Sequence, residues 1–163
     1  MTPALEAALV RDFPGLFADY GKPITETCIS WGCECGPGWE PIIRRACEKL
    51  AVLKPPPVLD QVKEKYGGLQ IYFHGGPWGR RRWYWPALWC AGLWSSFRHD
   101  ALRNWRNAAY FRSYDGATDT AGAVTDAAEA ESYRTCEACG RPGHPNKYGW
   151  ISTLCDSCRT ARS

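Results

Sequence analysis

A chain of 163 residues and 18.3 kDa has room for one compact domain, with at most a small metal-stapled appendage. With 45% apolar and 23% charged residues it has the composition of a folded globular protein, which excludes disorder over most of its length. The formal net charge of +3 is too mild for charge alone to imply a nucleic acid or a membrane, but its distribution is uneven. Residues 76–114 hold seven basic groups and one acidic one, residues 115–132 hold five acidic groups and no basic one, and residues 133–163 hold five basic and two acidic. The central block and, more weakly, the tail are therefore the expected contact surfaces.

The first residues, MTPALEAALVRDF, carry Glu6 inside their apolar stretch and lack a basic leader and a small-residue cleavage site, so no signal peptide is expected. The longest apolar run, Trp83 to Trp94, falls short of the ~20 residues of a membrane span. Nine cysteines would suit a disulfide scaffold, but the count is odd and four of them have metal-ligand spacing. The expected setting is a reducing cytoplasm, with no membrane partner.

In chain order, Leu5, Leu9, Phe13, Leu16, Phe17 and Tyr20 recur at helical spacing, with Pro3 suited to a first turn and Pro14 interrupting the run. This predicts a helix, a kink and a short second helix. Residues 21–38 read as a loop, and Trp39, Ile42, Ile43, Ala46, Cys47 and Leu50 then mark the core-facing stripe of an amphipathic helix. Pro55, Pro56 and Pro57 form a stiff connector. From Val58 to Phe73 the pattern is a β-hairpin turning at Gly67 and Gly68. Residues 86–111 predict a long helix with an apolar stripe and a basic, polar face, and residues 121–134 a short acidic helix.

Cys136, Cys139, Cys155 and Cys158 form two CxxC pairs with fifteen residues between them, the spacing that lets two thiolate knuckles converge on a tetrahedral ion. Zn2+ is favoured over an iron–sulfur cluster, a redox dithiol or unmetallated thiols, and because four sulfur ligands leave no open position the ion is expected to staple the fold and not to catalyse. A variant in which His144 replaces one cysteine is weighed against its reading as an exposed loop histidine, which is preferred. Cys28, Cys33, Cys35 and Cys47 make a second, irregularly spaced set. A second metal site is weighed against the reading of Cys28 and Cys47 as small buried residues, which is preferred. Cys90 is read as core.

The chain resembles a family of uncharacterised small zinc-binding proteins of phages, prophages and bacteria. The resemblance rests on Phe-Pro-x-Leu-Phe at residues 13–17, Thr-Cys-x-x-Trp-Gly-x-x-Cys-Gly-x-Gly-Trp at 27–39 and Gln-Val-Lys-Glu-Lys-Tyr-Gly-Gly-Leu from 61. It continues with Ala-Glu-x-x-Ser-x-x-Thr-Cys-Glu-x-Cys-Gly from 128 and Trp-x-x-Thr-Leu-Cys at 150–155. These cover roughly two thirds of the chain in order. Pro37 stands where the pattern has an aspartate, and residues 75–122 look like an insertion. The resemblance implies a mobile-element context, the cytosol and zinc, and it implies no catalytic residue.

Arg80, Arg81 and Arg82 precede Trp83, Tyr84 and Trp85, and Arg98, Arg103 and Arg106 follow on the predicted helix. Such interleaving of cations and rings suits a nucleic-acid surface, where arginine contacts phosphate and rings stack at ~1–3 kcal/mol per base. A solvated helix face over an aromatic core, a protein-binding hot spot and an interfacial membrane helix are the other readings of the same block. The three histidines, His74, His99 and His144, form no recognisable nucleophile and base, so an enzyme is not expected and a nuclease is the remote alternative.

The expected protein is thus α+β, with about four helices around a small hairpin and a C-terminal four-cysteine zinc ribbon. Its expected division is a helical and hairpin core over 1–75, a basic aromatic insertion over 76–122 and an acidic helix with the ribbon over 123–163. Its expected role is that of a non-enzymatic accessory binding protein, engaging nucleic acid or a host nucleoprotein or defence complex through Arg80, Arg81, Arg82, Trp83, Arg98, Arg103 and Arg106. No small-molecule substrate is expected. The alternative is a protein-binding inhibitor, for which Asp115, Asp119, Asp126, Glu129 and Glu131 offer an acidic face.

Overall fold

The computed structural model describes residues 1–75, 121–146 and 149–162. Helix α1 spans Pro3–Asp12. The Thr2 hydroxyl caps it by accepting from the Leu5 amide, and Pro3 occupies the first turn, where its missing N–H costs nothing. Pro14 bars Phe13 from continuing the helix. The expected second helix is not formed: residues 14–20 are a run of turns that delivers Leu16 and Phe17 to the core.

The loop before the second helix is more ordered than its Gly and Pro content suggests. It holds short 3-10 turns at Cys28–Trp31 and Pro37–Trp39 and, between them, the two-residue strand β1, Cys33–Glu34. Helix α2, Glu40–Ala51, buries the predicted stripe of Ile42, Ile43, Ala46, Cys47 and Leu50, with Trp39 buried just ahead of it. On its outer side Arg44 joins Glu40 and Asp12, each at 2.8 Å, and so ties α2 to the end of α1.

Strands β2, Pro57–Lys65, and β3, Gly68–Gly75, form the antiparallel hairpin, and β1 adds to β2 in parallel with Cys33 opposite Val62. The turn falls one residue earlier than expected. Its central residues are Tyr66 (φ 53°) and Gly67 (φ 80°), the two positive angles of a type I′ turn, while Gly68 already belongs to β3. Gly68 is small for another reason: a Cβ there would lie 2.5 Å from the ring of Tyr133. The ladder slips at Asp60, which sits as the extra residue of a bulge between Leu59 and Gln61.

Helix α3, Ala121–Ser132, packs on α2 and β3, with Ala121 and Ala128 in the same core as Leu9, Trp39 and Leu59. The buried Ser132 hydroxyl accepts from the Leu69 amide (2.8 Å) and donates to the Glu129 carbonyl (2.6 Å), so the helix end is sewn to β3. The chain then forms a two-stranded sheet of β4, His144–Pro145, and β5, Thr153–Leu154, and a short helix α4, Asp156–Thr160. The described residues are therefore a mixed α/β fold with four helices and two small sheets. Among them no helix is long and apolar enough to cross a membrane. The helix expected over 86–111 lies outside the described residues.

Candidate metal centre

The four cysteines of the CxxC pairs come from two corners of the C-terminal segment. Cys136 and Cys139 flank a tight turn closed by the Gly140 amide on the Cys136 carbonyl (2.8 Å), with Gly140 at φ 73°. Cys155 is the N-cap of α4 and Cys158 lies within it. The Glu137 amide donates to the Thr153 carbonyl (2.9 Å), which registers the two corners on each other, and the Gly143 amide donates to the Arg134 carbonyl (2.9 Å), which closes the first.

All four sulfurs fall within 4.8 Å of one another, and the Cys139 and Cys155 sulfurs are 3.6 Å apart. Zinc–sulfur bonds of about 2.3 Å put the edges of a tetrahedron at about 3.8 Å, so the cage already has the dimensions of a four-thiolate ion. Its electrostatics agree. The Arg141 guanidinium donates to the Cys139 sulfur (3.4 Å) and reaches the Cys155 sulfur (3.8 Å) and the Ser157 hydroxyl (2.5 Å). That guanidinium, with the Arg141 main-chain amide, lowers the Cys139 thiol below its usual range. Donation from Ser157 and from the Cys158 amide draws Cys155 down to about 6. Hydrogen bonding to the neighbouring Cys139 and Cys155 sulfurs holds the proton on Cys158, which is pushed up to about 12. Two of the thiols thus ionise readily, and a divalent cation bound there would supply the charge that removes the remaining protons. The donor set fits a thiophilic tetrahedral ion and closes its coordination shell, which suits structure and not catalysis. His144 is not part of it: its side chain is largely exposed and lies 3.8 Å from Asp156.

The first knuckle rests on the segment Gly36–Trp39. Gly36 donates its amide to the Glu137 carboxylate (2.8 Å), Gly38 to the Glu137 carbonyl (2.7 Å), and the Trp39 indole N–H to the Thr135 carbonyl (2.8 Å). A Cβ on Gly38 would lie 2.3 Å from the Cys136 carbonyl oxygen and 2.4 Å from the Gly140 nitrogen. Read alone, the Gly-Pro-Gly run is a turn signal. Its actual task is close backbone approach to a partner a hundred residues away, and the only hint in the sequence is that two glycines flank Pro37 just before a tryptophan.

The other cysteine set does not assemble. Cys33, Cys35 and Cys47 are buried in the apolar core, while Cys28 is exposed, correcting its reading as a buried residue. Burial pushes the thiols of Cys35 and Cys47 up to about 12 and that of Cys33 higher still. Arg80, Arg81, Arg82, Trp83, Arg98, Arg103 and Arg106, together with Cys90 and His99, lie outside the described residues. Of the acidic face, Glu131 is taken up by Arg45 (2.6 Å) and Glu129 accepts from the Tyr133 hydroxyl (3.2 Å), so neither is a free carboxylate.

Two features went unseen in the sequence. Tyr66 at the hairpin tip and Trp150 in the loop before β5 are 70% and 80% exposed, and with Lys65 and Ile151 they line a surface cleft of about 400 Å3. Asp19, Asp60 and His74, far apart in sequence, gather at the opposite end of the hairpin. Comparison with family models, with curated proteins and with solved structures gave no match.

Proposed function

We propose that this chain is a non-enzymatic binding protein, stapled by one structural Zn2+ in a four-cysteine ribbon, whose target is single-stranded nucleic acid. The observation that carries this reading is the cleft at the hairpin tip. Tyr66 accepts a positive φ that tyrosine rarely adopts, yet its ring gains little burial in return. Trp150 is likewise left in solvent on the other side of the cleft. Lys65 stands over the Tyr66 ring (5.5 Å), and Lys63 over the Tyr72 ring (5.5 Å) on the neighbouring strand position. Among the described residues one acid lines the cleft, Glu64, and its carboxylate accepts from the Gly67 amide at 2.6 Å. What remains is two flat rings beside ammonium groups that, among the described residues, lie in no ion pair with a carboxylate, a surface that suits a ligand with a flat base and an anionic backbone.

The arginine and tryptophan content of residues 76–114 supports the same chemistry, because it adds phosphate-binding charge to the chain. The cytoplasmic, phage-type setting of this reading, in which the protein engages a nucleoprotein or blocks a host defence complex, rests on the thiol-rich composition and the motif resemblance. A protein target met through the acidic face is less favoured, since Glu129 and Glu131 already serve the fold.

The test is anisotropy of a labelled single-stranded oligonucleotide and its duplex against the zinc-loaded protein over a salt series. Trp150→Ala and Tyr66→Ala are each expected to weaken single-strand binding about 5- to 150-fold, the equivalent of ~1–3 kcal/mol per lost stack. Binding that is unchanged in both variants, or absent at ~50 mM salt where backbone contacts are strongest, would refute the proposal and direct the search to a protein target.

A further inference from the structure

We propose that Asp19 and His74, with Asp60 holding the imidazole from behind, form a second cation site, open to solvent and suited to a divalent first-row ion, for which Mn2+ is the probe. One donor atom from each residue lies within 4.8 Å of the others. The His74 Nδ1–H donates to an Asp60 carboxylate oxygen (2.5 Å), which orients the ring so that its Nε2 faces Oδ2 of Asp19 across 4.0 Å, the gap an ion would fill. The imidazole makes this a mixed nitrogen and oxygen donor set, not a patch of carboxylates, and such sets suit Mn2+, Fe2+, Co2+ or Zn2+.

The scaffold holds each member in place. His74 stands opposite Val58 in the hairpin ladder, and Asp60 is the extra residue of the bulge, which takes its side chain out of the simple two-residue alternation. Asp19 is carried in by the turn after α1, which is pinned to β2 by the Leu59 amide on the Leu16 carbonyl (2.8 Å). Asp19 gives its Oδ1 to Lys22 (2.5 Å) and keeps Oδ2 towards the histidine. Asp60 and His74 are about half exposed, so an ion has a route in. An ion taken between Nε2 and Oδ2 would keep coordination positions for water, or for a phosphate or carboxylate oxygen of a ligand. In this the site differs from the closed four-sulfur cage.

Mn2+ titrated into the zinc-loaded full-length protein, followed by the electron paramagnetic resonance signal of free Mn2+ and by water proton relaxation, tests the assignment without any nucleic acid. One saturable Mn2+ per chain is expected, with a dissociation constant of about 0.1–1 mM, the range of weak oxygen-rich sites. His74→Ala and Asp60→Asn should each weaken it at least ~10-fold, and Lys22→Ala, which removes a competing cation, should leave it equal or tighter. Enhanced relaxation on binding would report the retained waters. Absence of saturable binding, or binding indifferent to both the His74 and the Asp60 variant, would overturn the proposal. Zinc content and circular dichroism check each variant, and Asp19→Asn replaces any that fails to fold.

Discussion

Gly38→Ala is the sharpest probe of how the metal module is held. The added methyl carbon would lie 2.3 Å from the Cys136 carbonyl oxygen, 2.4 Å from the Gly140 nitrogen and 2.7 Å from the Glu137 carbonyl oxygen. All three are main-chain atoms of the first knuckle, so no side chain can swing aside. Reaching an ordinary contact of about 3.5 Å requires the knuckle to retreat by about 1 Å. That retreat breaks the Gly38 amide bond to the Glu137 carbonyl and stretches the bonds from Gly36 to the Glu137 carboxylate and from the Trp39 indole to the Thr135 carbonyl. At ~1 kcal/mol each the loss is about 3 kcal/mol, or a fall in Tm of about 6–12 °C for a chain of this size. Thermal unfolding of the zinc-loaded protein measures it, and the rate at which a chelator strips the ion should rise in parallel. Gly15→Ala is the control, because a Cβ there meets nothing within 4 Å. If Gly38→Ala melts within ~2 °C of the parent, the docking of the knuckle on this segment is wrong.

Cys136→Ser and Cys155→Ser should each lose the ion and unfold at least the C-terminal third, as read by metal analysis and circular dichroism; retention of one zinc per chain by either variant would sink the four-cysteine assignment. Alkaline stability should report the buried thiols. Cys33, Cys35 and Cys47 keep their protons in the fold well above pH 9 but ionise near pH 9 when unfolded. The native state therefore holds more protons, and stability is full below about pH 9 and falls as pH rises towards 12, by about 1.4 kcal/mol per pH unit for each thiol. Urea midpoints at pH 8 and pH 10 should show a smaller drop in Cys47→Ala than in the parent, and identical drops would contradict the burial of that thiol. Iodoacetamide applied to the folded, zinc-loaded protein should alkylate exposed Cys28 well before Cys33, Cys35 or Cys47; equal rates would argue against the core described above.

Local pattern carried much of the architecture. The stripe from Trp39 to Leu50 is buried as its spacing predicts, and the helix from Ala121 and the hairpin around Gly67 both form. The errors are of one kind. The apolar spacing after Pro14 that suits a second helix is equally satisfied by a tertiary contact, since Leu16 and Phe17 reach the core from turns. The turn was placed on Gly67 and Gly68 because two glycines invite it, whereas Gly68 is small to admit the Tyr133 ring and Tyr66 takes the strained position. Strand β1 has only two residues and no periodicity to read.

The same division runs through the sites. Cys136, Cys139, Cys155 and Cys158 were legible because a knuckle is a local object: two residues of spacer bring its thiolates within reach of one ion wherever the rest of the chain lies. Arg141 between the sulfurs, the glycines under the knuckle, the exposed rings of Tyr66 and Trp150 and the meeting of Asp19, Asp60 and His74 are contacts between segments up to a hundred residues apart. Residue type and short-range spacing determine the elements and the thiolate knuckles. Which distant groups then face one another depends on how those elements pack, and that the tertiary structure alone decides.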